Sequence, residues 1–398
     1  MSSHSFPSNQ KSSDHALAAE FQQRFSDSFR IFSAPGRVNL IGEHTDYNDG
    51  FVMPAALGFY TYVAAASRKD DELCAYSIDF EETREFALTD IAPGPTGNWS
   101  DYVRGVAAVM RARGIPIGGA NLGIKGEVPI GAGLSSSAAL EVASATALLG
   151  ISNIQLDGRE IAAICQTAEH HYAGTKCGIM DQFISCFGQA NHALLLDCRS
   201  LDFEPLKFPE GVRIVICNTM VSHELAAGEY NRRRAECEAG VRHFQQFLPE
   251  IRALRDVSQS QFASYSSDMP GFIRRRCRHV ISENARVLEA ADALRRDDLK
   301  RFGELMAESH VSLRNDYEVS CDELDLMVEL ASRCPGTYGA RMTGGGFGGC
   351  TVNLVEADAV QDFKTTVAGK YKQRSGLQPD IYVCTAADGA REITAQDS

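Results

Sequence analysis

The sequence is short of several things, and each absence narrows the field. No apolar run reaches the ~18 residues a membrane span needs. The Ser-rich opening, Met1 to His15, lacks the apolar core of a secretory signal, so it reads as a frayed tail rather than a leader. The 12 cysteines contain no C-x-x-C pair, and many sit in apolar runs; they read as reduced core thiols of a cytoplasmic protein, not as a disulfide framework or zinc site. There is no H-E-x-x-H, which leaves His44 without zinc-ligand spacing. Positive charge is also scarce: Lys and Arg number 39 against 52 Asp and Glu, a formal net charge of -13. Such a chain repels a phosphate backbone, so Arg232-Arg233-Arg234 and Arg274-Arg275-Arg276 are expected on solvated helix faces rather than on nucleic acid.

What is present is ordinary globular material, 44% hydrophobic and 23% charged over 398 residues, enough for two cores. Patterning predicts a helix near 16–25 and a strand at 29–34, broken by Pro35-Gly36. Further strands are predicted near 60–67, 73–78, 122–128, 193–197 and 213–218, with helices at 99–113, 136–149 and 158–172. The two-proline stretch 201–211 reads as a boundary. It divides a flexible tail (1–25) and an N-terminal domain (26–205) from a mainly helical C-terminal domain (206–398). Strands near 339–343, 350–355 and 380–385 interrupt those helices, which predicts α+β domains.

Three stretches carry chemistry. Gly131-Ala132-Gly133-Leu134-Ser135-Ser136-Ser137 follows a strand and opens a helix. Glycines let the backbone approach a ligand, and a helix start offers unpaired N–H groups and positive potential, a ready phosphate cradle. No Gly-Lys-Ser/Thr follows, so this is not a Walker A loop; the dinucleotide fingerprint also fails, for want of its third glycine. The second stretch gathers Arg37, Glu43, His44, Thr45 and Asp46 within ten residues, a set of donors and acceptors suited to sugar hydroxyls or, more blandly, a solvated loop. The third, from Gly178 to Phe183, holds Asp181 as a lone carboxylate among apolar neighbours, either functional or a partnered helix cap. Glu169 lies upstream on a predicted helix, where a surface carboxylate is the ordinary reading. A glycine cluster, Gly344 to Gly349, is either a bulged hairpin or a second wall for the phosphate site.

Taken together, these stretches resemble the GHMP family of small-molecule kinases. Pro129 to Ala138 is similar to its P-x-x-x-G-L-S-S-S-A signature, and Gly36 to Asn48 to the sugar signature of its galactokinase branch. The resemblance runs from about Phe29 to Thr385 in the expected motif order. It implies two α+β domains with the substrates in the cleft between them, and transfer of the γ-phosphate of ATP to the anomeric hydroxyl of galactose. By the same resemblance Asp181 and Arg37 are catalytic; Arg37, Glu43, His44, Thr45, Asp46, Gly178, Asp181 and Tyr230 meet the sugar; and Gly131 to Ser137 hold the ATP phosphates. Ser77, Trp99 and Tyr102 line the nucleotide pocket, and Ser137 and Glu169 hold Mg²⁺. The expected protein is a cytoplasmic monomer with no nucleic-acid or membrane partner. Two alternatives stay open: an N-acetylgalactosamine kinase, and a non-catalytic sensor of galactose and ATP, which the Ser137-Ala138 pair disfavours.

Overall fold

The computed structural model describes residues 10–221 and 226–394. Its first layer is a six-stranded sheet in the order 391–393, 30–39, 54–67, 120–126, 72–77, 82–87, with one parallel pair, 72–77 beside 120–126. Side chains alternate across this sheet as strand geometry requires. Val63 and Ala65 face the helices Ser100–Ala112, Ser136–Ile151 and Gly158–Ala168, while Tyr60, Tyr62 and Ala64 face Leu17 and Phe21 of the helix Gln10–Arg24. Residues of that first helix are therefore packed structure, which corrects the expectation of a flexible tail over 1–25 for its described part; residues 1–9 lie outside the described residues.

The strand expected to break at Pro35-Gly36 instead runs from Arg30 to Asn39. Its outer neighbour pairs only with Ile31 to Ser33, so Pro35 lies where that edge needs no N–H, and a bulge between Pro35 and Arg37 absorbs the irregularity. Beyond the bulge Arg37 donates its backbone N–H to Leu134 O at 3.0 Å, so the edge is closed by the glycine-serine loop. Among the described residues four strands escaped the sequence reading: the short Phe51–Val52 and Arg391–Ile393, and two longer ones. Glu82–Ala87 is a half-exposed edge strand whose charges mask its alternation. Phe203–Lys207, inside the proposed boundary, pairs with His192–Asp197 and carries Pro205 on a sheet edge.

The second half supplies an antiparallel four-stranded sheet in the order 337–343, 350–356, 212–218, 380–384. Helix Leu299–Ser312 packs against it, and Gly271–Arg295 packs against that helix. One apolar cluster joins Val38, Leu40 and Met53 of the first half to Ile214, Val287, Phe302 and Val352 of the second. That shared core fixes the seam at which the polar motifs meet.

The arginine triplets are solvated only in part, Arg232 facing water with 63% side-chain exposure. Arg233 and Arg276 point inward, and Arg276 is held by Glu236 and Glu318 while Arg233 donates to the carbonyls of Tyr317 and Glu318. Helical packing turned part of each triplet toward acidic partners that a charge count cannot locate. All twelve cysteines are free. Among the described residues no helix is long and apolar enough to cross a membrane.

Candidate active site

The centre of the site is a charge pair. Asp181 sits in the first turn of the helix Met180–Phe187, where the helix dipole favours a carboxylate. Arg37 Nε donates to its Oδ1 and Arg37 Nη2 to its Oδ2, both at 2.7 Å, a bidentate geometry. Arg37 Nη1 donates to Gly133 O at 2.7 Å, tying the pair to the glycine-serine loop. Burial opposes the arginine's charge, but the nearby negative charges of Asp181, Glu43 and Asp46 outweigh it and raise its pKa. Ser135 Oγ donates to Asp181 Oδ2 at 2.5 Å.

The Gly42–Gly50 loop is braced from behind. Thr45 Oγ1 lies 2.8 and 2.7 Å from the carbonyl oxygens of Gly42 and Phe51, so Thr45 holds the turn. The helix Gly271–Arg295 adds three contacts: Glu283 Oε1 accepts Gly42 N–H at 2.9 Å, Asn284 Oδ1 accepts Phe51 N–H at 2.9 Å, and His279 Nε2 donates to Glu43 O at 3.0 Å. Burial drives the pKa of His279 down to about 4. Burial opposes the charge of Glu283, yet Arg286 and its other neighbours hold its pKa down at about 2.

Glu43 Oε1 accepts Gly344 N–H at 2.8 Å and the Thr343 hydroxyl at 3.0 Å, with Arg341 Nη2 at 3.2 Å. His44 is buried, bonds Tyr47 Oη through Nδ1 at 2.8 Å, and packs against Tyr230 and Tyr317; burial lowers its pKa to about 3, so the ring is neutral. Asp46 is held near 7 by burial and by the charge of Asp181. Its Oδ2 would lie 1.9 Å from a Cβ added at Gly178, so only glycine admits this approach. Arg37, Glu43, His44, Asp46, Gly178, Asp181 and Tyr230 thus converge, while Thr45 supports them from the turn.

A cavity of about 430 Å³ adjoins the pair, lined by Ser77, Trp99, Tyr102, Gly131, Ser136 and Ser137. Phe80 stacks on Trp99 with the ring planes 12° apart. Ala132 and Leu134 bury their side chains in the core, so only their backbone can meet a ligand. The glycine cluster forms both a hairpin and a wall: its strands pair as Thr337–Thr343 with Cys350–Glu356, and a Cβ added at Gly344 would lie 3.1 Å from Gly133 O.

Glu169 is buried, contrary to the surface reading, and opens a π-helical turn, Glu169–Ala173, a distortion frequent at functional sites. Burial, then the charge of Asp181, raises its pKa to about 7, while the thiol of Cys177 and the hydroxyl of Ser137 bond to it and favour its charged form. Gln182 Nε2 donates to Glu169 Oε2 at 2.6 Å and to Glu141 Oε2 at 3.0 Å. Sequence reasoning missed Glu141, Gln182, His279, Glu283, Asn284 and Arg341. Glu141 alone left a signal, as the single charged residue in the helix Ser136–Ile151.

Comparison with known proteins gives consistent matches. A family model described as the galactokinase galactose-binding signature matches residues 19–67, and models of the GHMP kinase N-terminal and C-terminal domains match 101–189 and 290–373. The chain is 50% identical over 382 residues to a galactokinase of Chloroflexus aurantiacus, covering 96% of this chain and 98% of that one. It is 46% identical over 378 residues to one of a Roseiflexus species, covering 95% and 96%. The crystal structure of Lactococcus lactis galactokinase complexed with galactose superposes with a TM-score of 0.91 at 36% identity, covering 95% of this chain and 99% of that one. A Methanococcus jannaschii mevalonate kinase, 19% identical with a TM-score of 0.63 over 91% of this chain and 99% of that one, shares the fold.

Proposed function

The chain belongs to the galactokinase family of GHMP kinases, and from that premise we propose how its own residues phosphorylate the sugar. It is an ATP-dependent sugar kinase that transfers the γ-phosphate to the anomeric hydroxyl of galactose, giving galactose 1-phosphate and ADP. The observation that carries the mechanism is the bidentate Arg37–Asp181 pair, set between the sugar-signature loop and the glycine-serine loop.

Asp181 accepts the proton of the anomeric hydroxyl as general base, and Arg37 balances the charge that develops on the attacking oxygen and the transferring phosphoryl group. Glu43, His44, Asp46, the Gly178 backbone and Tyr230 orient the sugar hydroxyls. The backbone of Gly131 to Ser135 and the hydroxyls of Ser136 and Ser137 cradle the phosphates, with the base in the cavity beside Ser77, Trp99 and Tyr102. Most of the rate then comes from positioning and electrostatics.

The donor set fits Mg²⁺ carried with ATP. A buried carboxylate, Glu169, with the Ser137 hydroxyl near it, would offer protein oxygens to such an ion. The chemistry it would supply there is neutralisation of phosphate charge. The twelve free thiols favour a cytoplasmic setting. The chain is then a monomer of two domains, the first taking in the helix Gln10–Arg24 and the strands Phe203–Lys207 and Arg391–Ile393, the second beginning with the strand Val212–Asn218. Phosphorus and proton NMR of the product tests the site of transfer: galactose 1-phosphate is expected, and a 6-phosphate overturns the assignment.

A further inference from the structure

We infer that Gln182 and Glu141 are positioning residues for Glu169, a reading that rests on the proposed metal role of Glu169. Three helix beginnings converge here. Ser137 and Glu141 are four residues apart on the helix Ser136–Ile151 and so share one face. Glu169 opens the π turn, and Gln182 directly follows Asp181 on the helix Met180–Phe187. The Gln182 amide donates to both carboxylates, at 2.6 Å to Glu169 and 3.0 Å to Glu141.

Gln182 and Glu141 are each 0% exposed. Neither touches solvent, and Glu141 Oε1 and Gln182 Oε1 have no protein partner. A buried polar group without full pairing costs stability, and an apolar side chain of the same volume would fill the place more cheaply. The gain is orientation. Glu141 holds the amide, the amide fixes the rotamer of Glu169, and Glu169 stays aligned with the Ser137 hydroxyl. Because Gln182 is the next residue after Asp181, the same link sets the register between the base and the metal–nucleotide.

The test is Mn²⁺ binding in the presence of ADP, followed by electron paramagnetic resonance, with galactose titration on the same preparations. Glu141→Gln keeps an acceptor for the Gln182 amide and should bind Mn²⁺ within ~2-fold of the parent protein. Glu141→Met and Gln182→Met remove one member of the link and should weaken Mn²⁺ by ~10–100-fold, leaving galactose affinity within ~2-fold. If both Met variants fold and bind Mn²⁺ like the parent while Glu169→Gln does not, the positioning role is wrong and the metal role of Glu169 stands. If Glu169→Gln itself leaves Mn²⁺ affinity unchanged, the metal role fails. A parallel loss of galactose affinity in the Met variants also overturns the inference, since it marks general disruption. Should Glu141→Met fail to fold, Gln182→Met and Glu141→Gln decide the matter by the same readout.

Discussion

Replacing Asp181 by Asn tests the mechanism at its centre. The change keeps the side-chain size and removes the charge and the basicity. Loss of a general base costs ~10²–10⁴ in rate, so kcat should fall at least ~10²-fold. The structural cost follows from the pair. Deleting one member of a fully buried ion pair costs ~3–5 kcal/mol. Here Asp181 keeps 22% side-chain exposure, and Glu43 and Asp46 still act on Arg37. The Asn carbonyl can also accept one of the two Arg37 hydrogen bonds. A loss of ~1–2 kcal/mol is therefore expected, enough to lower the melting temperature by a few degrees without unfolding the protein. Bound ATP touches neither oxygen in this scheme, so nucleotide affinity should hold, and galactose affinity should change far less than kcat. The assay is coupled turnover, thermal melting and galactose titration on one preparation. A folded variant retaining more than about a tenth of the parental kcat would refute Asp181 as the base; an unfolded one would assign it a structural role instead.

Three further outcomes are expected. Glu169→Gln should raise the Mg²⁺ concentration needed for half-maximal turnover and slow the reaction with galactose binding nearly intact, and parental behaviour across a Mg²⁺ titration would count against it. Asp46, held near 7 in the folded protein against an ordinary 3.8, gains its proton as pH falls through about 7. Its acceptor capacity falls with it, so KM for galactose should rise below that pH. Asp46→Asn should abolish that limb of the KM profile, and a limb that survives would place the titration elsewhere. Glu283, held at about 2 against an ordinary 4.5, contributes stability that is complete above 4.5 and is lost as pH falls toward 2. Glu283→Gln should cost roughly 3 kcal/mol at neutral pH and progressively less as pH falls through about 2 in chemical-denaturation curves, and a pH-independent deficit would speak against the ion pair as its source.

The sequence by itself determined the local devices. Glycines before a serine-rich helix start specify a loop that presents N–H groups, because backbone freedom and helix-end polarity are properties of a few consecutive residues. Apolar runs likewise made 120–126 and 212–218 readable as strands to within two residues, and 54–67 only over its second half, from Tyr60 onward. It failed where a local signal contradicted a sheet context. Pro35 and Pro205 look like breaks, but each lies on a sheet edge that asks for no N–H there. Charged Glu82–Ala87 looks like a loop, but an edge strand tolerates such residues.

Only the tertiary structure decided who meets whom. Arg37 and Asp181 are 144 residues apart, Glu43 and Gly344 are 301 apart, and Gln182 joins two carboxylates drawn from different helices. No periodicity encodes such distances. Burial made the second decision: Asp46 and Glu169 are ordinary acids in the sequence, and both are moved to about 7 chiefly by removal from water. A residue type fixes what a group can donate or accept. The charge it carries and the partner it faces depend on the dielectric and the neighbours that packing supplies, and both come into being only when the two halves share a core.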